Sequence, residues 1–278
     1  MRIIVLSLIL IVANASNTLS QSAREILYRV FEETREIETI SYVMTKSERI
    51  EGEMIKQISS SKIQRNPLRV YLRQQYPKDG LEVLYTEEND KALINPNGFP
   101  WINLRLSPNG GTMRENQHHT IKESGYDHFI NVLEHLITKY DGSLDNMLVL
   151  KPDTVFDGNP AWSIALNNPN YQLEYYTMQK GETIMEVARR KMLSEYWLIE
   201  RNDKVSDCKD ELPGEVIRIT NDYSPKMELI IDSKRYIPLV MKVYDDKGLY
   251  EHYSYSDVEI NPAFLPEEFD RNYKEYGF

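Results

Sequence analysis

Five histidines and a single cysteine are the side chains here best suited to nucleophilic, acid–base or metal chemistry. His118 and His119 are adjacent, so on a strand they point to opposite faces and do not chelate one ion together. His128 and His135 are seven apart, about 10 Å along a helix, too far to share an ion. Glu134 stands beside His135, yet the metalloprotease helix motif is absent. So are the Gly-x-Ser-x-Gly elbow, the phosphate loop and the dinucleotide fingerprint. Cys208 is surrounded by Asp207, Asp210 and Glu211, which oppose a thiolate. With 43 acids in the chain, a carboxylate pair alone signals nothing. These patterns predict no catalytic residue, no metal site and no cofactor.

The elements that would position such groups are mostly strands. Ser20 or Ser22 can cap a helix from about Ala23, with Ile26, Leu27, Val30, Phe31 and Ile37 on one stripe. From Ile40 the apolar period becomes two. The alternating sets are Ile40/Tyr42/Met44, Leu68/Val70/Leu72, Leu81/Val83/Tyr85 and Ile102/Leu104/Leu106. Turn signals at Glu51-Gly52, Asn66-Pro67, Pro77 to Gly80, Asn95 to Gly98 and Pro108 to Gly111 divide them. A capping-box pattern, Thr120 to Glu123, predicts a second helix carrying Phe129, Leu133, Leu136 and Tyr140, stopping near Gly142. Strand-like runs return at Met147 to Phe156, Ala161 to Leu166 and Tyr171 to Met178. They resume at Met227 to Ile231, Leu239 to Tyr244 and Tyr250 to Ile260. The tail from Asn261, rich in Pro, Phe and Tyr, should lie across the domain.

The stretch from Lys180 to Glu215 departs from this meander. Two short helical segments with their own starts, at Glu182-Thr183 and at Ser194, suggest an inserted β–α–α–β module. The segment runs from Tyr176 through Gly181-Glu-Thr-Ile184 to Ala188, then Ser194 to Asn202, then Leu212-Pro-Gly214 to Ile219. This resembles a LysM module. Gly181 permits the turn out of the first strand, Thr183 and Ser194 cap helices, and Asn202 tolerates the left-handed conformation at a helix end. Lys191 and Met192 replace an aromatic residue and a Gly common in that family, Arg201 a usual Leu, and Thr220 a common Pro. The resemblance implies N-acetylglucosamine binding, as in peptidoglycan, by Gly181, Glu182, Thr183, Ile184, Asn202, Asp203 and Lys204. The same residues also suffice simply to cap and turn the chain.

The remainder resembles the bacterial family DUF1571. The residues concerned are Asn66 to Leu72, Pro77 to Tyr85, Leu104 to Pro108, His119-x-Ile121, Ile231-Asp232, Pro238 and Tyr250 to Tyr255. The ending from Asn261-Pro262 through Phe269-Asp270 to Tyr276-Gly-Phe278 joins them. That family is similar to LolA-type periplasmic carriers. The resemblance implies a mainly β (α+β) fold, a curved antiparallel half-barrel sheet with packed helices, sheltering an acyl chain or lipoprotein tail. Inward apolar rows do not by themselves show whether the interior is hollow or filled.

The first residues set an expected compartment. Arg2, an apolar run from Ile3 to Val12 and Ala13-Asn14-Ala15 follow the order of a cleaved secretory signal peptide. No Cys follows the cleavage site and no segment reaches eighteen apolar residues, so a soluble periplasmic or secreted chain is expected. One cysteine rules out an intramolecular disulfide. Net charge is −10, unfavourable for nucleic acid. The expected organisation is a signal at 1–15, a host domain at 16–174 and 222–278, and a module at 175–221. The leading expectation is an envelope protein that docks on peptidoglycan; the alternative is a lipid or lipoprotein carrier tethered by the same module.

Overall fold

The computed structural model describes residues 21–278, apart from the side chains of Pro152 and Asp153; the expected signal peptide lies outside them. Helix α1 (Ala23–Arg35) starts at Ser22, whose hydroxyl accepts from the Glu25 amide while Glu25 accepts from the Ser22 amide. That reciprocal pair satisfies two orphan amides and fixes the helix start. Ile26, Leu27, Val30 and Phe31 form its buried face.

A meander follows: β1 (Thr39–Ile50), β2 (Glu53–Gln64), β3 (Arg69–Tyr76), β4 (Glu82–Thr86), β5 (Ala92–Asn95) and β6 (Leu104–Leu106). Next come the one-turn α2 (Gly111–Arg114), α3 (Asp127–Lys139), the one-turn α4 (Leu144–Met147), β7 (Leu148–Phe156) and β8 (Asn159–Asn167). A separate unit, β9 (Leu173–Thr177), α5 (Ile184–Lys191), α6 (Glu195–Glu200) and β10 (Val216–Thr220), precedes β11 (Lys226–Asp232), β12 (Pro238–Asp245) and β13 (Gly248–Ile260).

Eleven strands form one curved antiparallel sheet in the order β6-β5-β4-β3-β2-β1-β13-β12-β11-β8-β7. The last strand therefore pairs with the first, and Met44 faces Tyr255 across the join. Register shifts at Ser41/Val43, Ile58/Ser59 and Val243/Tyr244 are irregularities of the kind that bend strands. Helix α1 packs on α3, α4 and β7, and α4 packs on β7 and β8. Their Leu133, Leu136, Ile137 and Leu144 share a core with Ile164, Leu166, Met227 and Leu229 from the sheet. Each such side chain contributes about 1.5–3 kcal/mol by leaving water.

Three sequence expectations need correction. β2 and β5 are strands that the periodicity missed, because Glu53–Gln64 is mostly polar and Ala92–Asn95 is only four residues long. The Thr120–Glu123 capping box exists, but it closes a short 3-10 turn; α3 begins only at Asp127, after Gly125 turns the chain at φ +96°. Gly142 likewise falls within a separate 3-10 turn beyond the end of α3.

The tail lies across the outer face of β3–β5, as its composition suggests. Tyr276 stacks on Tyr71 with centroids 3.7 Å apart, and Tyr276 and Phe278 cover Tyr71, Leu84 and Leu93. The Gly277 amide donates to Glu82, and a Cβ there would stand 2.5 Å from Asn95 Nδ2. Only glycine allows that approach.

In the β9–β10 unit the strands pair antiparallel, Ile217 opposite Tyr176. Ile184, Val187, Ala188, Leu198, Ile217 and Ile219 are buried, and they belong to the same apolar cluster as the main sheet. Gly181 and Gly214 have φ of +78° and +83°, as turns there require. Asn202 does not take the left-handed conformation expected of it. Met192 does, at φ +54°, closing α5 where the resembled family often has Gly.

Candidate functional site

The sheet is not packed along its whole inner face. Over β1–β6 and β13 the inward side chains face the 107–128 segment across a cavity of about 540 Å³. The alternation of each strand decides what lines it. Toward the sheet edge the walls are Leu72, Val83, Ile94, Leu104 and Leu106, with Ile121 and Phe129 opposite. Toward the centre, β2 contributes Ser59 and Ser61, β1 contributes Lys46 and Glu48, and β13 contributes Tyr253 and Tyr255. Phe99 also lines the cavity and is 85% exposed, with Trp101 beside it at 79%.

The inner end is a buried ionic network. Glu48 is 1% exposed and accepts from the His118 amide, the Lys46 ammonium and the Tyr253 hydroxyl. Glu251, fully buried, lies 2.8 Å from His118 Nδ1 and 3.2 Å from His119 Nε2, and it accepts from Tyr223 at 3.0 Å. The other His118 nitrogen faces the Arg49 carbonyl oxygen. Lys46 also donates to Gln117. Each carboxylate here has a charged or polar partner, as burial demands, although Oε2 of Glu251 accepts no hydrogen bond.

Two further groups complete the cluster. His119 Nδ1 lies 3.7 Å from Glu123, and His128 Nδ1 lies 3.8 Å from it on the other side. Burial works against a charge on His119, but Glu251 and Glu123 outweigh it, so its pKa stands well above the usual imidazole value. Burial likewise opposes charge on Glu251 and Glu123, yet the adjacent histidines hold both well below the usual carboxylate range. His128 moves the other way: burial, then the charge of His119, push it down to about 4. The donor atoms of His119, Glu123 and His128 lie within 4.8 Å of one another, and all three residues line the cavity.

Sequence spacing missed this cluster. His118 and His119 occupy a loop rather than a strand; His118 turns to Glu251, while His119 meets His128 nine residues away. His135 is exposed on α3 and takes no part. The usable signal was polar residues at inward strand positions, Lys46, Glu48, Ser59 and Ser61, where a filled core would place apolar ones.

The seven residues expected to hold glycan are mostly engaged within the chain. Glu182 accepts from Tyr176, the Gln179 amide and Arg190. Thr183 caps α5 reciprocally with Glu186. Ile184 is fully buried, so it is core rather than an apolar face for a sugar. The Ile184 and Met185 amides donate to the carbonyls of Asp210 and Cys208, because the polar 203–211 segment folds back over the α5 start. Asn202 bridges α6 and β10 through three hydrogen bonds, donating to the Leu198 and Arg218 carbonyls and accepting from the Arg218 amide. Asp203 and Lys204 remain exposed, with Lys204 paired to Glu215, and Gly181 is exposed at its turn.

Among the described residues no helix is long and apolar enough to cross a membrane. The family described as "Protein of unknown function (DUF1571)" matches residues 37–195, over half of the chain and ending just inside α6. No curated protein matches the sequence. Solved structures similar to it include a DUF1329 family protein from Desulfovibrio piger ATCC 29098 (8% identity, covering 91% of this chain and 98% of that one, TM-score 0.37). A putative outer membrane lipoprotein-sorting protein domain from Vibrio parahaemolyticus shows 12% identity, with 89% and 96% covered and a TM-score of 0.36. Lipoprotein LppX from Mycobacterium tuberculosis shows 10% identity, with 88% and 100% covered and a TM-score of 0.41.

Proposed function

The chain belongs to the DUF1571 family, and we propose that it is a non-catalytic carrier that shelters the acyl chain of an amphiphile, a lipid or a lipoprotein tail. The observation that carries this reading is the cavity and its gradient. Its volume of about 540 Å³ falls in the range of small-molecule sites, about 300–1,000 Å³. The wall from β4–β6 is apolar, with Val83, Ile94, Leu104 and Leu106, and the wall around Lys46, Glu48, His119 and Glu123 is polar and charged, matching the two ends of an amphiphile. Each methylene taken from water into such a site is worth about 0.8 kcal/mol, so an acyl chain supplies enough affinity without a covalent step. Native mass spectrometry of gently purified protein, with displacement of a fluorescent fatty acid as the second readout, is the test. A bound acyl species is expected; an empty chain that also takes up no fluorescent fatty acid would sink the reading.

A second reading concerns the β9–β10 unit. Its β–α–α–β order, its two capped helices and its glycine turns support a LysM-like wall tether, and the leader-like N-terminus supports export to the compartment where such a wall lies. Glycan contact would then use the exposed Gly181, Asp203 and Lys204 rather than the buried Ile184 or the fully bonded Asn202. Purified chain should co-sediment with sacculi, and the Asp203→Ala, Lys204→Ala pair should weaken this. Failure of the wild type to sediment removes the tether while leaving the carrier reading untouched.

A further inference from the structure

We propose that His119, Glu123 and His128 form a binding site for a divalent transition-metal ion of the zinc class, with a coordination position open to the cavity. The inference goes beyond the carrier reading and does not depend on the identity of any acyl ligand.

The donor set comes first. Two imidazoles and one carboxylate are a zinc-type combination, with a fourth position left for water or a ligand. Their ligand atoms already lie within 4.8 Å of one another. Donors on one tetrahedral zinc ion stand about 3.3 Å apart, so adjustments of about 1 Å by each side chain would close the site. The three come from different local structures, a loop, the end of a 3-10 turn and the first turn of α3, yet they converge on one point.

The surroundings are those of a supported site. Glu251 stands behind His119, 3.2 Å from Nε2, which leaves Nδ1 turned toward Glu123. A carboxylate behind a ligating histidine orients the ring and raises its basicity. Glu251 is itself held by His118 and Tyr223. Glu123 is fixed by the Thr120 amide and hydroxyl. On the far side, His128 Nε2 is buried and has no hydrogen-bond partner.

Charge gives an independent reason. Glu48, Glu123 and Glu251 face one permanent cation, Lys46, which is engaged with Glu48 and Gln117. Two negative charges then remain, which a single divalent ion would balance.

The test is titration of the full chain, stripped with chelator, with zinc chloride against a competing fluorescent zinc indicator. Cobalt(II) chloride provides a spectroscopic arm. One ion per chain and a tetrahedral-type cobalt absorption band are expected. Glu123→Gln and His128→Gln should each weaken zinc binding on the order of 100-fold or more, Glu251→Gln by about 10–100-fold as a supporting residue, and His135→Gln not at all. No uptake by the folded wild type overturns the proposal, as does uptake unchanged in Glu123→Gln and His128→Gln. If either variant fails to fold, the wild-type cobalt spectrum still decides, because absence of a band that zinc can bleach counts against the site. Loss of zinc binding with intact fatty-acid uptake would refute this site alone; the reverse pattern would refute the carrier.

Discussion

The hydroxyl of Tyr250 on β13 lies 2.8 Å from Oγ of Ser194, the residue that caps α6. One hydroxyl thus serves the cap and the main sheet together. Around it, Arg114 pairs with Glu195 at 2.6 Å in a buried contact, Tyr196 accepts from the Glu51 amide, and the His118 ring stacks on Tyr196. The β9–β10 unit is therefore continuous with the body of the protein in packing as well as in chain.

Arg114→Ala should accordingly destabilise the whole chain by about 3 kcal/mol, because it strips one partner from buried Glu195, which then keeps only Arg189. Tyr250→Phe, which removes a single hydrogen bond, should cost about 1 kcal/mol. Urea unfolding read by fluorescence checks both. A single transition in each variant is expected, and a separate early transition confined to the unit would contradict continuous packing.

Leu72→Trp should fill the cavity from β3 without disturbing the helix side of the sheet, since Leu72 projects among Val83, Leu104 and Leu106. Fatty-acid binding should fall at least about tenfold while the melting temperature changes by only a few degrees. Unchanged binding would mean that the ligand sits elsewhere.

Glu251→Gln removes a buried charge that three groups converge on: His118, His119 and Tyr223. The loss should be about 3–5 kcal/mol, the usual scale for breaking a buried ionic network. Equilibrium denaturation at neutral pH measures it. A loss below about 1 kcal/mol would show that the network relaxes around the amide.

The tail should loosen in acid. Burial opposes charge on Glu268, but Lys62 and the Leu265 amide outweigh it and hold its pKa below the usual carboxylate value. A carboxylate depressed in the fold contributes stability that is present above its unfolded pKa and is lost as pH falls through the folded one. Amide exchange of residues 265–278 should therefore accelerate as pH drops below about 4.5, once corrected for intrinsic rates. Glu268→Gln should show faster exchange already at neutral pH and little further change.

Cys208 should be silent in the native chain. Burial, with help from Asp207 and Glu195, pushes its thiol up to about 11. At pH 8 the thiolate fraction is then on the order of one in a thousand. A disulfide reagent should label it only on the unfolding timescale, and rapid labelling of folded protein would place it at the surface.

Much of the fold was legible because local rules suffice for it. Ser22 with Glu25, and Thr183 with Glu186, are reciprocal caps readable at fixed spacing, and the period-two runs of β1, β3, β4 and β11–β13 follow from one apolar face. β2 escaped because its inward Ser59 and Ser61 face a cavity, and an alternation rule assumes the inside is greasy. α3 was found but started early, because the Thr120–Glu123 box serves a turn that aims Glu123 at the histidines rather than a helix.

The sequence by itself determined the β-rich class, the helix caps, the reach of the tail and the order of the β–α–α–β unit, since each rests on neighbours a few residues apart. The cavity and its ionic end were decided only by tertiary structure. Glu48, His119, Glu123, His128 and Glu251 come from five different local structures, β1, a loop, a 3-10 turn, α3 and β13, and no single spacing rule links them. They meet because β13 pairs with β1, bringing Glu251 opposite Glu48, and because the 107–128 segment closes over that join. The same tertiary packing turned Ile184 inward and tied Asn202 to Leu198 and Arg218 through three hydrogen bonds, engaging within the chain two residues that the motif placed in the expected glycan groove.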